Sequence, residues 1–163
     1  MVSLVFLLSG LFCVLVQTNL SFNHLFFPFK PDLTIPLTVY VALSQRPLQG
    51  SLYALWAGFL MDLTSGASVG LYVFTRQLVF FLAHLVKRGG LLDSVLLQGV
   101  LSVAFFFLDA SVIYIIARVA GDAAVEGADF FQRSGSQAVF TLLLWYLLSP
   151  ALRKLEALAA KAE

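Results

Sequence analysis

The stretch Gly-Phe-Leu-Met-Asp-Leu-Thr-Ser-Gly at residues 58–66 decides the fold of this chain, together with Ala-Ser-Val-Gly at residues 67–70. Most residues on either side are apolar, and Asp62 is the ionisable group within the stretch. A carboxylate inside a bilayer is costly, so Asp62 must have a partner or lie at the water boundary. The stretch therefore predicts a membrane helix that ends in an ionisable group and a glycine-containing turn.

The composition of the chain is that of an integral membrane protein. Its 163 residues are 60% hydrophobic and 12% charged, with a mean hydropathy of +0.93. Soluble domains carry about 25% charged residues, so this chain has too few charges to cover a water-facing surface. The net charge of +1 argues against nucleic acid as a partner. The single cysteine, Cys13, lies in an apolar run and cannot form an internal disulfide.

Apolar runs and breaker residues predict an all-α, polytopic bundle of six transmembrane helices in a single domain. The first run lacks a basic start and a convincing cleavage site, so we interpret it as a retained helix. Ser149-Pro150 predicts a kink or stop, followed by a surface tail at residues 151–163. The predicted spans are residues 2–20, 32–44, 48–63, 71–86, 91–119 and 137–148.

The distribution of basic residues predicts that both termini are cytoplasmic. With the N-terminus inside, the inner segments hold six basic residues, namely Arg46, Lys87, Arg88, Arg153, Lys154 and Lys161. The outer segments hold three, namely Lys30, Arg118 and Arg133. Asp62 and the turn after it then face the outer side.

Small residues recur every four positions along the third predicted helix, at Gly50, Ala54 and Gly58, and Asp62 continues the series. Steps of four keep the last three within an arc of about 80°. Small residues at this spacing let two helices approach closely. The face either packs inside the bundle or docks a helix of another protein, and the sequence leaves both possibilities open.

Arg76 lies inside the fourth predicted span, where an arginine costs about 2.5–3.5 kcal/mol on insertion scales. Asp109 is a candidate partner because the two depths differ by only about 6 Å. Asp62 is the other candidate. We predict that Asp62, Arg76 and Asp109 form one polar cluster in the outer half, either as a structural ion pair or as a contact with a ligand or partner.

The turn after the third span has a simpler interpretation. Asp62 could lie at the helix end, with Thr64 or Ser65 capping the next helix. Gly66 and Gly70 would supply the turn conformations. This role competes with the polar cluster for Asp62.

Patterns typical of enzymes are weak. The two histidines, His24 and His84, do not have metal-ligand spacing, and Gly-x-Ser-x-Gly and phosphate-binding glycine loops do not occur in the sequence. Asp62 and Asp109 could in principle form an aspartyl dyad, but neither has a supporting motif. We expect a protein without catalytic activity, cofactor or metal.

Residues 55–66, with Gly70-Leu71, resemble the signature of the rod shape-determining protein MreD family: Gly-x-x-x-Asp-Leu-x-Ser-Gly, then Gly-Leu. Pro31-Asp32-Leu33 also resembles the Pro-Asp-Leu that opens the second span in that family. The resemblance covers essentially the whole chain. The segment 120–136 departs from it, being longer and more acidic than expected.

The resemblance implies a multi-pass scaffold in the bacterial inner membrane, part of the elongation machinery (elongasome) and without enzymatic activity. It also implies an architecture similar to that of the substrate-binding subunits of energy-coupling-factor transporters. The implied partner is MreC, within a larger complex of MreB, RodA and the elongation-specific penicillin-binding transpeptidase. The implied role is regulation of cell shape and of lateral peptidoglycan synthesis. We hypothesise that the single membrane helix of MreC docks on the face of Gly50, Ala54 and Gly58.

A transporter subunit that binds a small molecule remains the alternative. It would use an outer pocket near Asp62, Arg76 and Asp109. A binding pocket has several convergent polar groups among aromatic side chains, and polar groups inside these spans are few. This scarcity favours the scaffold.

Overall fold

The computed structural model describes residues 2–22, 32–65, 70–90, 94–119 and 127–161, and within these ranges leaves out the side chains of 2–5, 20–22, 117, 127–133, 136 and 155–161. All regular structure in the described part is helical, in agreement with the predicted all-α class. The helices are α1 (Val2–Phe22), α2 (Thr34–Ser44), α3 (Pro47–Ser65), α4 (Leu71–Arg88), α5 (Val95–Val119) and α6 (Gly127–Lys161).

Helix α2 lies at the centre of the bundle and contacts all five other helices. Every residue from Thr34 to Ala42 is buried, on all sides of the helix. A helix that is buried on all sides belongs in an interior. This position is compatible with the short length of α2, 11 residues. Other helices cover α2, so it does not have to match the thickness of a bilayer.

The polarity of the bundle is inverted relative to that of a soluble protein. Several polar side chains have no exposed surface, namely Thr34, Thr38, Thr75, Arg76, Ser102 and Thr141. The outside carries large apolar side chains on every helix except α2, with Phe12 67%, Leu63 67% and Leu147 72% exposed. An apolar exterior of this extent is suited to lipid or to partner helices.

One stretch among the described residues, Val95–Ile116 of α5, is long and apolar enough to cross a membrane by length and composition. Two shorter apolar stretches are Phe6–Asn19 and Thr34–Ser44. Helix α5 begins at Val95 rather than Leu91, because the hydroxyl of Ser94 accepts the N–H of Leu97 at 3.1 Å and caps the helix there.

Helix α6 differs most from its predicted span. It begins at Gly127 rather than Gln137 and continues through Pro150 to Lys161, with 35 residues in all. Polar residues at 127–136 resemble a loop, but a helix that extends beyond a bilayer can carry them at its water-exposed end. Proline removes one backbone hydrogen bond and can be accommodated in membrane helices. At about 1.5 Å per residue α6 is about 52 Å long, well beyond about 30 Å of hydrocarbon.

An aromatic row joins α1, α2 and α6 at the level where α5 begins. The ring of Tyr40 lies 6.2 Å from that of Phe6 and 6.3 Å from that of Trp145. Trp145 is buried, and its indole N–H donates to the carbonyl oxygen of Val95 at 3.1 Å. Because Trp145 meets the first turn of α5, α5 and α6 are fixed against α2 at this end of the bundle.

Candidate functional site

Arg76 of α4 is completely buried, and each nitrogen of its guanidinium donates to an acceptor. Nη1 donates to Asp109 Oδ1 of α5 at 2.7 Å, and Nη2 donates to Asp32 Oδ2, before α2, at 2.5 Å. Nε donates to Thr34 Oγ1, in the first turn of α2, at 3.0 Å. These four residues are called the Arg76 cluster, and they connect α2, α4 and α5.

Asp32 has two roles, because its two oxygens face different donors. Oδ1 accepts the backbone N–H of Thr34 at 2.9 Å, the N–H of Ile35 at 3.3 Å and the hydroxyl of Thr34 at 2.7 Å. These bonds satisfy donors at the start of α2, as an N-terminal cap does. Oδ2 remains for Arg76, so one side chain both begins α2 and ties it to α4.

The Arg76 cluster contains two carboxylates and one guanidinium, a formal charge of −1 when all three are ionised. The side chain of Asp109 is 5% exposed and that of Asp32 is 14% exposed, so Asp32 is the member nearest to solvent. The ring of Tyr72 lies 5.8 Å from the guanidinium carbon, where a cation–π attraction operates. A buried ion pair contributes little net stability when intact, but removing one partner leaves an uncompensated charge.

Asp62 does not take part in the Arg76 cluster. Its carboxylate accepts the N–H of Gly70 and of Tyr72, both at 2.9 Å, and the N–H of Val73 at 3.4 Å. It therefore caps the start of α4 from the last turn of α3. The three-residue cluster predicted from sequence is corrected accordingly, since Asp32 occupies the place that was assigned to Asp62.

The turn between α3 and α4 is only partly described. Gly70 has a φ of +95°, the left-handed region that glycine favours. The hydroxyl of Thr64 donates back to the carbonyl oxygen of Leu60 at 3.0 Å, so Thr64 does not cap α4. Ser65 ends α3. Gly66, like His24 and residues 120–126 of the acidic segment, lies outside the described residues.

The small-residue face of α3 packs against α4 of the same chain. A Cβ on Gly58 would lie 2.5 Å from the Cα of Val73, and a Cβ on Gly50 would lie 2.4 Å from Cε2 of Phe80. Ala54, between them, is fully buried. This surface is called the α3–α4 seam. A helix of another protein could bind Gly50, Ala54 and Gly58 only by displacing α4. The contacts favour the internal-packing interpretation, and docking of a partner helix on this face stays a prediction.

Two groups lie outside the sequence-based predictions of site residues. Asp32 enters the sequence analysis through the Pro31-Asp32-Leu33 resemblance alone, although a carboxylate that opens a short, largely apolar helix is also a candidate partner for a buried arginine. Tyr53 lies in an apolar pattern typical of packing, yet its hydroxyl is buried without a hydrogen-bond partner in the described part of the chain.

The chemistry of the site is that of a structural junction. In the described ranges, His, Cys, Asp and Glu do not form a group of three or more that could hold a metal ion. Each guanidinium nitrogen of Arg76 already donates to a residue of the chain, and the side chain is completely buried. The Arg76 cluster can fix the positions of three helices, and it contains no nucleophile–base pair.

A family model described as rod shape-determining protein MreD matches residues 1–156 of the 163. Comparisons with curated proteins and with solved structures found no match.

Proposed function

This chain belongs to the MreD family of rod shape-determining proteins, which are bacterial membrane proteins, and from that premise we propose that it is a non-enzymatic membrane scaffold of the cell elongation machinery. The observation that carries the proposal is the family match over residues 1–156. In this role the protein binds MreC and helps to regulate lateral peptidoglycan synthesis, within a complex that includes RodA, the elongation-specific transpeptidase and MreB.

The inverted polarity supports the scaffold role. Apolar side chains on the outside of α1, α3, α4, α5 and α6 offer surface to lipid and to the membrane helices of partners. The polar groups inside are hydrogen-bonded within the chain, to each other in the Arg76 cluster and to backbone carbonyl oxygens of their own helices elsewhere, as for Thr38 and Ser102. A bundle with fixed internal geometry and an apolar exterior is suited to holding other membrane proteins in place.

We further propose that all six helices lie in the membrane, with both termini in the cytoplasm. Helices α1, α3 and α4 are 21, 19 and 18 residues long, close to the about 20 that span a bilayer. The ends of α4 and α6 near the expected cytoplasmic side carry Lys87, Arg88, Arg153 and Lys154, in agreement with the excess of basic residues on cytoplasmic segments.

The transporter-subunit alternative receives less support. A ligand site needs polar groups that are free to bind the ligand. In the Arg76 cluster, Thr34, Asp32 and Asp109 already accept the donors of Arg76. The architectural similarity to substrate-binding transporter subunits remains an expectation from the family resemblance.

Co-purification tests the proposal. The tagged chain is expressed at native level, membranes are gently solubilised, and co-purifying proteins are identified by mass spectrometry. The control is an unrelated multi-pass membrane protein with the same tag. We expect recovery of MreC with the tagged chain and not with the control. Recovery of a transport ATPase and its membrane coupler without MreC would overturn the scaffold and favour the transporter subunit.

A cellular readout complements this biochemistry. Depletion of the chain from its bacterium should convert rods to spheres, and the wild-type chain supplied in trans should restore rods. Unchanged rod shape and unchanged incorporation of labelled wall precursor along the side wall would contradict a role in lateral growth.

A further inference from the structure

Five basic side chains gather at the end of the bundle where α2, α4 and the apolar part of α6 finish. Four are exposed and Lys87 is half-buried, and they are called the basic cluster: Arg46, Lys87, Arg88, Arg153 and Lys154. Among the described side chains at this end, in residues 44–50, 84–90, 94–98 and 149–154, none is acidic. The sequence adds Lys161 and the acidic Asp93, Glu156 and Glu163 nearby, so basic residues remain in excess.

The register of α2 and α4 sets the end of α2 level with the basic end of α4. The contact between Thr34 and Arg76 joins residues 42 positions apart, and so does the contact of the His84 imidazole with the carbonyl oxygen of Ala42, at 3.4 Å. The two helices therefore run side by side in the same direction with a constant offset. Applied to Ser44, the last residue of α2, the offset gives Val86, next to Lys87 and Arg88, and Arg46 directly follows the extended C-cap residue Gln45.

Helix α6 brings its basic residues to nearly the same level. The rings of Tyr40 and Trp145 are 6.3 Å apart, which fixes α6 against α2. Arg153 lies eight residues beyond Trp145, about 12 Å along the helix axis, and Arg88 lies six residues beyond Leu82, the residue of α4 level with Tyr40, about 9 Å. The basic cluster is thus a layer about one helical turn thick.

Apolar side chains that face outward lie immediately above this layer. Leu48 is 74% exposed, beside Arg46, and Leu85 is 58% exposed, one turn before Arg88. Basic side chains with apolar stems beside such a surface place their charges where lipid headgroups lie. None of the five has an ion-pair partner among the described residues.

We propose that the basic cluster binds the phosphate headgroups of anionic phospholipids, so that these lipids are held around the end of the bundle that carries the α2–α3 corner, the end of α4 and the basic residues of α6. The ligand class follows from charge, because unpaired ammonium and guanidinium groups attract phosphate, and from position, because they border a lipid-facing surface. This inference does not depend on the scaffold role, since lipid binding and MreC binding are measured separately.

Native mass spectrometry of the full-length chain in detergent tests the proposal, with phosphatidylglycerol and phosphatidylcholine of identical acyl chains as the probes. The variant neutralises Lys87, Arg88, Arg153 and Lys154 to Gln. Arg118→Gln is the matched control, because Arg118 is exposed near the opposite end of α5 and, among the described residues, contacts Tyr114, to whose hydroxyl it donates at 3.1 Å. Thermal unfolding in detergent verifies that both variants are folded.

The wild type and Arg118→Gln should retain phosphatidylglycerol in preference to phosphatidylcholine. The four-residue variant should lose most of this preference, with affinity about 5-fold weaker per neutralised residue. Equal preference in all three proteins would overturn the proposal, as would displacement of phosphatidylglycerol by millimolar glycerol phosphate, which would indicate a site for soluble phosphate. Loss of a co-purifying acidic protein with unchanged lipid preference would assign the cluster to a protein partner instead.

Discussion

The Arg76 cluster and the α3–α4 seam both hold α4 in the bundle, but by different physics. The Arg76 cluster relies on charge between residues 33 and 44 positions apart in sequence. The seam relies on the absence of side-chain atoms, because Gly50 and Gly58 leave room for Phe80 and Val73. Removing a group should therefore damage the cluster, and adding a group should damage the seam.

The largest effect is expected at Arg76. Arg76→Leu leaves Asp32 and Asp109 without their cation, and breaking a buried pair in this way costs about 3–5 kcal/mol. The free energy of unfolding in mixed micelles, titrated with denaturing detergent, measures this loss. Arg118→Gln is the control, with an expected change within about 0.5 kcal/mol for an exposed site.

A second variant tests whether the loss of stability in Arg76→Leu comes from the uncompensated charge or from the change in side-chain size. Arg76→Leu combined with Asp109→Leu removes both members of the more deeply buried pair, so the double variant should be more stable than Arg76→Leu alone. If the double variant were the less stable of the two, the uncompensated carboxylate would not be the cause of the damage.

The next largest loss of stability is expected at the α3–α4 seam. Gly58→Ala places a methyl group against the backbone of Val73, which cannot move away as a side chain can by changing rotamer. Overpacking of this kind costs about 1–3 kcal/mol. Gly50→Ala should cost less, because the opposing atoms belong to the ring of Phe80. Gly135→Ala is the matched control: a Cβ there meets nothing within 4 Å, and alanine should stabilise the helix by about 0.5–1 kcal/mol. Equal stability of Gly58→Ala and Gly135→Ala would contradict the close approach of α3 and α4.

Asp62 combines features of both regions, since it is charged but its partners are backbone N–H groups. Asp62→Asn keeps an oxygen acceptor and loses the charge at the start of α4, for an expected cost of about 0.5–2 kcal/mol. Hydrogen exchange at the amides of Gly70 and Tyr72 should accelerate, while exchange at Phe80 stays as in the wild type. Uniform acceleration along α4 would show that Asp62 supports the whole helix rather than its first turn.

The smallest effect is expected away from both regions, at Trp145. Trp145→Phe keeps an aromatic ring next to Tyr40 and removes the N–H bond to Val95, with a cost of about 0.5–1.5 kcal/mol. The unfolding titration used for Arg76 measures it. A loss as large as that of Arg76→Leu would mean that the aromatic row, and not the Arg76 cluster, dominates the stability of the bundle.

Those features of the molecule that depend on a single helix can be predicted from the sequence. Apolar runs specify the helices and their order, and depth along a helix is enough to make Asp109 a candidate for Arg76. Spacing also identifies Gly50, Ala54 and Gly58 as one face, although it cannot tell whether α4 or a foreign helix covers that face.

The remaining features depend on arrangements between helices. Asp32 and Asp62 both lie at the ends of apolar runs, and only the position of α2 relative to α4 decides which carboxylate meets Arg76. Helix α6 is longer than its predicted span for a related reason. Pro150 and the polar residues 127–136 end a helix only where neighbouring structure does not stabilise it.

The enclosure of α2 constrains how the protein is made. With 11 residues, about 17 Å of helix, α2 is too short to rest across a bilayer by itself. Its buried surface is completed by segments as late as α6, and the Arg76 that binds Asp32 and Thr34 is synthesised some 40 residues after them. During synthesis α2 therefore lacks most of its packing partners until α3 and α4 have been made. In a chain stalled before Arg76, α2 should be more accessible to protease than in the complete chain, and a cysteine introduced into α2 should react faster with cysteine-reactive reagents.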